Sequence, residues 1–238
     1  SSPWGRPYAP DVNGLFHRCG VTAPIPVVDR PVKYPYRARP MDRTLTRRGE
    51  ERRSQLMAFA AQRFADNGYH PTSVAEIVEG LGVGKGVFYW YFDSKEELLR
   101  AILADGQLDL RRRQRAAITG ATTPLERIER GIRASIEWSL EHPVFFRLFQ
   151  FAATDDRFAE NLRKGEQVAV RDAARHVAAA MAAGEIPDAD PRLQANAMLG
   201  VSSHLVHLVH RGLLTADESV VETAVSFCLY GLQGPRSS

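Results

Sequence analysis

The stretch Gly82-Val83-Gly84-Lys85-Gly86-Val87-Phe88-Tyr89-Trp90-Tyr91-Phe92-Asp93-Ser94-Lys95 gathers the side chains of this chain best suited to act on a partner. Three large aromatics stand in a row at Tyr89, Trp90 and Tyr91, with a lysine on either side at Lys85 and Lys95. Wound into a helix, Val87, Phe88 and Phe92 face the preceding helix, while Lys85, Tyr89 and Trp90 point outward. Exposed aromatics beside a lysine are costly to leave idle. Their physical use is docking in a DNA major groove, where the N-terminal end of a recognition helix reaches base edges and phenol or amine groups meet phosphates. Ordinary core packing is the alternative reading of the run, and it is disfavoured because three consecutive aromatics cannot all face one side of a short helix.

The elements that must hold this segment can be read on either side of it. Leu56, Phe59, Ala60 and Phe64 recur at three- and four-residue spacing and predict a helix over about Arg47 to Asn67, closed by Gly68, with Arg48, Glu51 and Arg52 on its opposite face. Ser73 followed three residues later by Glu76 forms a capping box that starts a short helix through Val74, Ile77, Val78 and Leu81. Gly82 stops it. A second short helix over roughly Lys85 to Tyr91 follows, and Ser94 with Glu97 repeats the box at the head of a long helix through Leu98, Leu99, Ile102 and Leu103. Two short helices joined by a tight glycine turn describe a helix-turn-helix.

Charge alone does not make this a nucleic-acid binder. The net charge of +3 is already present within residues 1–42, and residues 43–104 carry nine basic against eight acidic side chains. Binding would therefore depend on placement and on a dimer doubling each contact. Residues 1–40 hold eight of the 14 prolines and show no periodicity, which predicts an extended or disordered leader over 1–42, with a basic arm for the minor groove as its functional alternative. Cys19 and Cys228 are far apart and in no ligand-spaced pair, so neither a disulfide framework nor a zinc knuckle is expected, and a reducing cytoplasm suits the chain. No apolar run approaches the ~20 residues of a bilayer crossing, so no membrane partner is expected. The chain has no G-x-S-x-G elbow, P-loop or H-E-x-x-H, and an enzyme is not expected.

On residues 47–104 the chain resembles the tetracycline-repressor (TetR) family: a Thr/Ser-capped helix, a Gly-Val turn, a Lys-Gly-aromatic recognition helix and a Ser-Lys-Glu start to the next helix occur in that order. The resemblance implies an all-α protein with an N-terminal three-helix helix-turn-helix DNA-binding domain over 43–104. A larger C-terminal helical domain over 105–234 would bind ligand and dimerise. It implies phosphate contacts from Thr72 and Ser73, groove-facing Lys85 and Gly86, base or phosphate contacts from Tyr89, Trp90 and Tyr91, and a phosphate clamp at Lys95. Gly84 stands where a capping Ser is usual and Val87 where Thr is usual, so one cap and one polar contact are missing. The implied function is that of a sequence-specific transcriptional regulator, with repression the default. It would be released from a near-palindromic double-stranded operator by a small apolar or amphipathic effector whose identity the sequence does not disclose.

Beyond residue 105 the prolines fall between helical patterns, giving helices over about Pro124 to Glu141, Pro143 to Phe151, Asp156 to Ala183, Pro191 to Leu214 and Ala216 to Leu232. Trp138, Phe145, Phe146, Phe149 and Phe151 cluster around Pro143, with Met181 and Met198 on later helices. Either they line an effector pocket or they are core. As ligand-binding candidates we take Trp138, Phe145, Phe149, Met181, Met198, His204 and His207. His204, His207 and His210 recur at steps of three, which do not bring all three to one face, so no metal and no cofactor is expected. Wide apolar faces on the last two helices, with small residues at Gly200 and Ala224, predict a homodimer through a four-helix interface.

Overall fold

The computed structural model describes residues 46–233, and within them every regular element is helical. In order these are α1 (Arg47–Asn67), α2 (Val74–Gly80), α3 (Lys85–Tyr91), α4 (Lys95–Ile118), α5 (Pro124–Glu141), α6 (Pro143–Thr154), α7 (Asp156–Ala182), α8 (Pro191–His210) and α9 (Glu218–Gln233). The leader predicted over 1–42 and Cys19 lie outside the described residues. The chain divides into two compact units, one ending at Ile102 and the next beginning at Leu103.

In the first unit, α1 starts where the Thr46 hydroxyl accepts the Gly49 N–H and ends where the Gly68 N–H reaches the Phe64 carbonyl. Leu56, Ala60 and Phe64 are buried, as the spacing predicts, and Phe59 lies over α2, its ring filling the space a Cβ at Gly80 would need. Ser73 accepts the Glu76 N–H at 3.1 Å, which is half of the expected capping box. The Glu76 carboxylate turns to Asn67 Nδ2 and Arg63 instead, tying α2 to the end of α1. Gly82 takes φ +63, the left-handed conformation that closes α2 in the space of one residue. Ser94 caps α4 through the Glu97 N–H, and Glu97 reaches back to the Asp93 N–H.

In the second unit, proline occupies the first turn of α5, α6 and α8, where its missing N–H costs nothing, and Thr123, Asp155 and Asp190 supply the cap acceptors for α5, α7 and α8. One core joins α5, α7, α8 and α9 through Ile128, Ile132, Ile136, Val177, Met198, Val206, Val221, Ala224, Val225 and Cys228. Two boundaries differ from expectation by three residues or more, and α9 starts two residues later than predicted. α6 runs to Thr154, three residues further, because no breaker stands after Phe151; α8 stops at His210, because Gly212 at φ +70 lets the Leu213 N–H bond back to the Leu208 carbonyl. Leu213 therefore lies in a turn, exposed, although the helix predicted over Pro191 to Leu214 includes it. No described helix is long and apolar enough to cross a membrane.

Candidate nucleic-acid interface

The recognition segment separates its residues as sharply as a seven-residue helix allows. Phe88 and Phe92 are 0% and 1% exposed with ring centroids 5.9 Å apart, and Arg53 of α1 sits 5.1 Å over the Phe92 ring. Tyr89, the very next residue after Phe88, is 46% exposed. Lys85 and Gly86 are exposed at the N-terminal end of α3, and a Cβ added at Gly86 would meet no atom. Val87, Trp90 and Tyr91 are half-buried, and the Trp90 and Tyr91 rings meet edge-on at 4.6 Å, so Trp90 projects less freely than a purely outward position predicts. Gly84 occupies the N-cap of α3 without a side-chain hydrogen bond, as its lack of a hydroxyl requires.

Two residues expected to touch phosphate are turned inward. Thr72 is completely buried, and its hydroxyl donates to the Gly68 carbonyl at 2.8 Å. Its side chain is a strut of the turn between α1 and α2, and no phosphate can reach it there. Lys95 directs its ammonium at the carbonyls of Tyr69, His70 and Thr72, at 2.7, 3.3 and 2.8 Å. The half-buried lysine thereby serves carbonyl oxygens that are partly withdrawn from water. Ser73 remains exposed; its oxygen accepts from Glu76 while its own O–H is able to donate elsewhere.

The seven ligand candidates of the second unit fall in several places. Trp138 is buried with its indole N–H on Asp109 at 2.8 Å, stacked at 4.5 Å on His142; Phe145 lies 5.7 Å away against Gly106, and Phe149 follows at 6.1 Å, half-buried. Met181 and Met198 pack in or against the α5, α7, α8 and α9 core instead. His207 pairs with Gln150 and lies 6.0 Å from the Phe146 ring, while His204 is exposed. His210 holds the Ser139 carbonyl at 2.9 Å, and burial lowers its pKa from the usual 6.5. The structure thus unites Trp138, Phe145 and Phe149 and leaves His204 apart from them. Sequence spacing had no signal for Asp109, the indole's acceptor, because a single acidic residue on an amphipathic helix looks like any other.

The faces of α8 and α9 are also distributed differently from expectation. Val206, Val221, Ala224, Val225 and Cys228 turn into their own protomer's core. Leu193, Phe227 and Tyr230 stand outward, at 69%, 65% and 60% exposure, and Gly200 is exposed on the same helix as Leu193.

A short helix that buries one aromatic face and offers lysine and tyrosine on the other, behind a glycine turn and a capped helix, has the arrangement of a helix-turn-helix unit. The family profile described as bacterial regulatory proteins, tetR family, matches residues 56–102. The HTH-type transcriptional repressor KstR2 of Mycobacterium tuberculosis is 39% identical over 92 residues, which are 38% of this chain and 45% of that protein. The HTH-type transcriptional activator FasR of Mycolicibacterium smegmatis is 36% identical over 93 residues, 39% of this chain and 42% of that one. The chain thus covers less than half the length of these curated relatives. A TetR/AcrR family regulator from Thermobifida fusca has a solved structure that superposes with a TM-score of 0.62 at 27% identity, over 76% of this chain and 98% of that one. The structure of KstR2 shares the fold, with a TM-score of 0.62 at 24% identity over 77% of this chain. The match to the tetR family thus lies in the N-terminal helix-turn-helix segment, and the fold of the longer chain is that of solved TetR/AcrR-type regulators.

Proposed function

We propose that this protein is a dimeric transcriptional repressor that reads a near-palindromic operator through α3 and releases it when a small apolar or amphipathic molecule binds the second unit. The observation that carries the reading is the adjacency of a fully buried Phe88 and an exposed Tyr89, with Lys85 and Gly86 exposed at the entry of the same helix. The Tyr89 ring packs edge-on against Phe88 yet leaves nearly half of the residue open to solvent, and a phenol beside an ammonium fits phosphate and base edges. Ser73, Lys85, Gly86, Tyr89, Trp90 and Tyr91 form the proposed DNA face; Thr72 and Lys95 do not belong to it. Residues 43–104 would read DNA, and residues 105–234 would sense and dimerise. The outward Leu193, Phe227 and Tyr230 support pairing through α8 and α9, since each is a large apolar side chain that a copy would cover. Two recognition helices so paired read half-sites about 34–36 Å apart or at a related spacing. For the effector, the run of Trp138, Phe145 and Phe149 is the best supported wall, because it is aromatic, contiguous and ends in a half-buried ring.

Selection of fragments from genomic DNA by the purified protein tests this, with a Lys85→Ala, Tyr89→Ala variant run in parallel. Enrichment of a near-palindrome by the parent alone is the expected result. Enrichment by both proteins would move the interface away from α3, and enrichment by neither, with or without lipophilic compounds added, would remove the DNA-binding reading. A reporter driven by the selected site then separates repression from activation, a distinction that the recognition motif does not make: KstR2 and FasR match it about equally well.

A further inference from the structure

The turn joining α1 to α2 buries Tyr69 and Thr72 while His70 and Pro71 stay exposed, and carbonyl oxygens partly withdrawn from water gain from protein donors. Two side chains supply them. The Thr72 hydroxyl donates to the Gly68 carbonyl, and the Lys95 ammonium donates to the carbonyls of Tyr69, Thr72 and, more loosely, His70. The same ammonium lies 4.3 Å from the centroid of the Tyr69 ring, which packs on Phe64 of α1. An ammonium has three protons, and each of them here has a carbonyl to face. A phosphate clamp needs at least one of them directed outward.

The position of Lys95 in the chain gives this arrangement a consequence. α3 ends at Tyr91, Phe92 anchors its exit in the core, and Lys95 is the first residue of α4. One side chain therefore fastens the backbone that enters the helix-turn-helix to the backbone that leaves it. We infer that Lys95 is a positioning residue of the DNA-reading unit, setting the pose of α2 and α3 through the Tyr69–Thr72 carbonyls without itself touching DNA. The inference deepens the DNA-binding reading proposed above and rests on it.

A phosphate contact and a brace differ in how they answer to salt, because only the first releases counterions on binding. The experiment uses the full-length protein, the DNA fragment it selects, and the variants Lys95→Met, which keeps the aliphatic stem, and Lys85→Gln. Operator affinity is measured against salt concentration, and hydrogen exchange is measured over residues 68–92 without DNA. For Lys95→Met, affinity should fall about tenfold or more at every salt concentration with the slope of log K against log salt unchanged, while amides of 68–76 exchange faster. For Lys85→Gln the slope should shrink by about one per protomer with exchange unaltered. A reduced slope for Lys95→Met with exchange at parental rates would make it a phosphate contact and overturn the inference. Affinity and exchange both unchanged would overturn it too. Should Lys95→Met fail to fold, Thr72→Val, which keeps the shape and removes the hydroxyl, tests the same turn: faster exchange at 68–73 with an unchanged slope supports the brace, and parental exchange contradicts it. If the parent selects no DNA, the DNA-binding reading falls, and the exchange of 68–76 alone still decides whether Lys95 holds the turn.

Discussion

In α3 two neighbouring residues do opposite jobs: Phe88 fills the core and Tyr89 faces solvent. In α5 and α6 the aromatics Trp138 and Phe145 are buried, and a wall for a ligand would be built from the same residues as a core. A DNA-reading helix must keep its chemistry outside, so purpose and packing use different side chains. A small-molecule site must keep its chemistry inside, so they use the same ones. On α3 the residues open to a partner are therefore separate from those of the core, and the second region discloses only that it folds.

Substitutions at the two neighbours should break or sharpen this contrast. Phe88→Ala removes a completely buried ring and should cost about 3–5 kcal/mol of stability, read as a loss of the cooperative melt, with DNA binding lost as a by-product. Tyr89→Ala should leave stability within about 0.5 kcal/mol and weaken operator binding by about 1–3 kcal/mol, read by titration of the selected fragment. Equal effects of the two on the melt would dissolve the contrast. Smaller effects test the frames rather than the sites. Thr46→Ala and Asp190→Ala should each cost about 1 kcal/mol, since each removes a side-chain acceptor at a helix start, one in either unit. Arg133→Gln, which breaks an exposed ion pair between α5 and Glu222 of α9, should cost about 0.5 kcal/mol or less in urea unfolding.

The second unit also has a pH signature. Burial is the leading cause that holds His176 and His210 below the usual 6.5. As pH falls through that value the unfolded chain takes up protons before the folded one, so stability present above it is lost towards acid. Urea midpoints of the His176→Gln, His210→Gln variant should therefore fall less steeply between pH 7 and pH 5 than those of the parent. A slope as steep as the parent's would show that other groups carry the effect.

What could be read from sequence follows the range over which each signal acts. The boundaries of α1, α3 and α5 were legible because caps, prolines and glycines act on their own backbone. The outward placement of Lys85 and Tyr89 on α3 was legible because a period of 3.6 forces it, whereas the half-buried Trp90 lies against Tyr91. The inward turn of Thr72 and Lys95 was not, since the carbonyls they satisfy lie up to 26 residues away from Lys95 and only the folded chain brings them under it. The same holds for Val221, Ala224, Val225 and Cys228, whose helix has apolar residues on most of its circumference, so that periodicity could not say which of them face α5 and which a second copy.

Gly84 and Gly86 bracket the first turn of α3 in ordinary backbone conformation, with open space where a side chain would begin. Gly80, on the helix before, has no such room under Phe59. The front of the reading helix is thus a pair of blank positions on a fixed frame. New letters can be written there, a serine at 84 that caps the helix or a polar residue at 86 that meets an additional base, without redrawing the scaffold. On the proposed reading, substitutions at these two positions would change operator preference while leaving the fold intact.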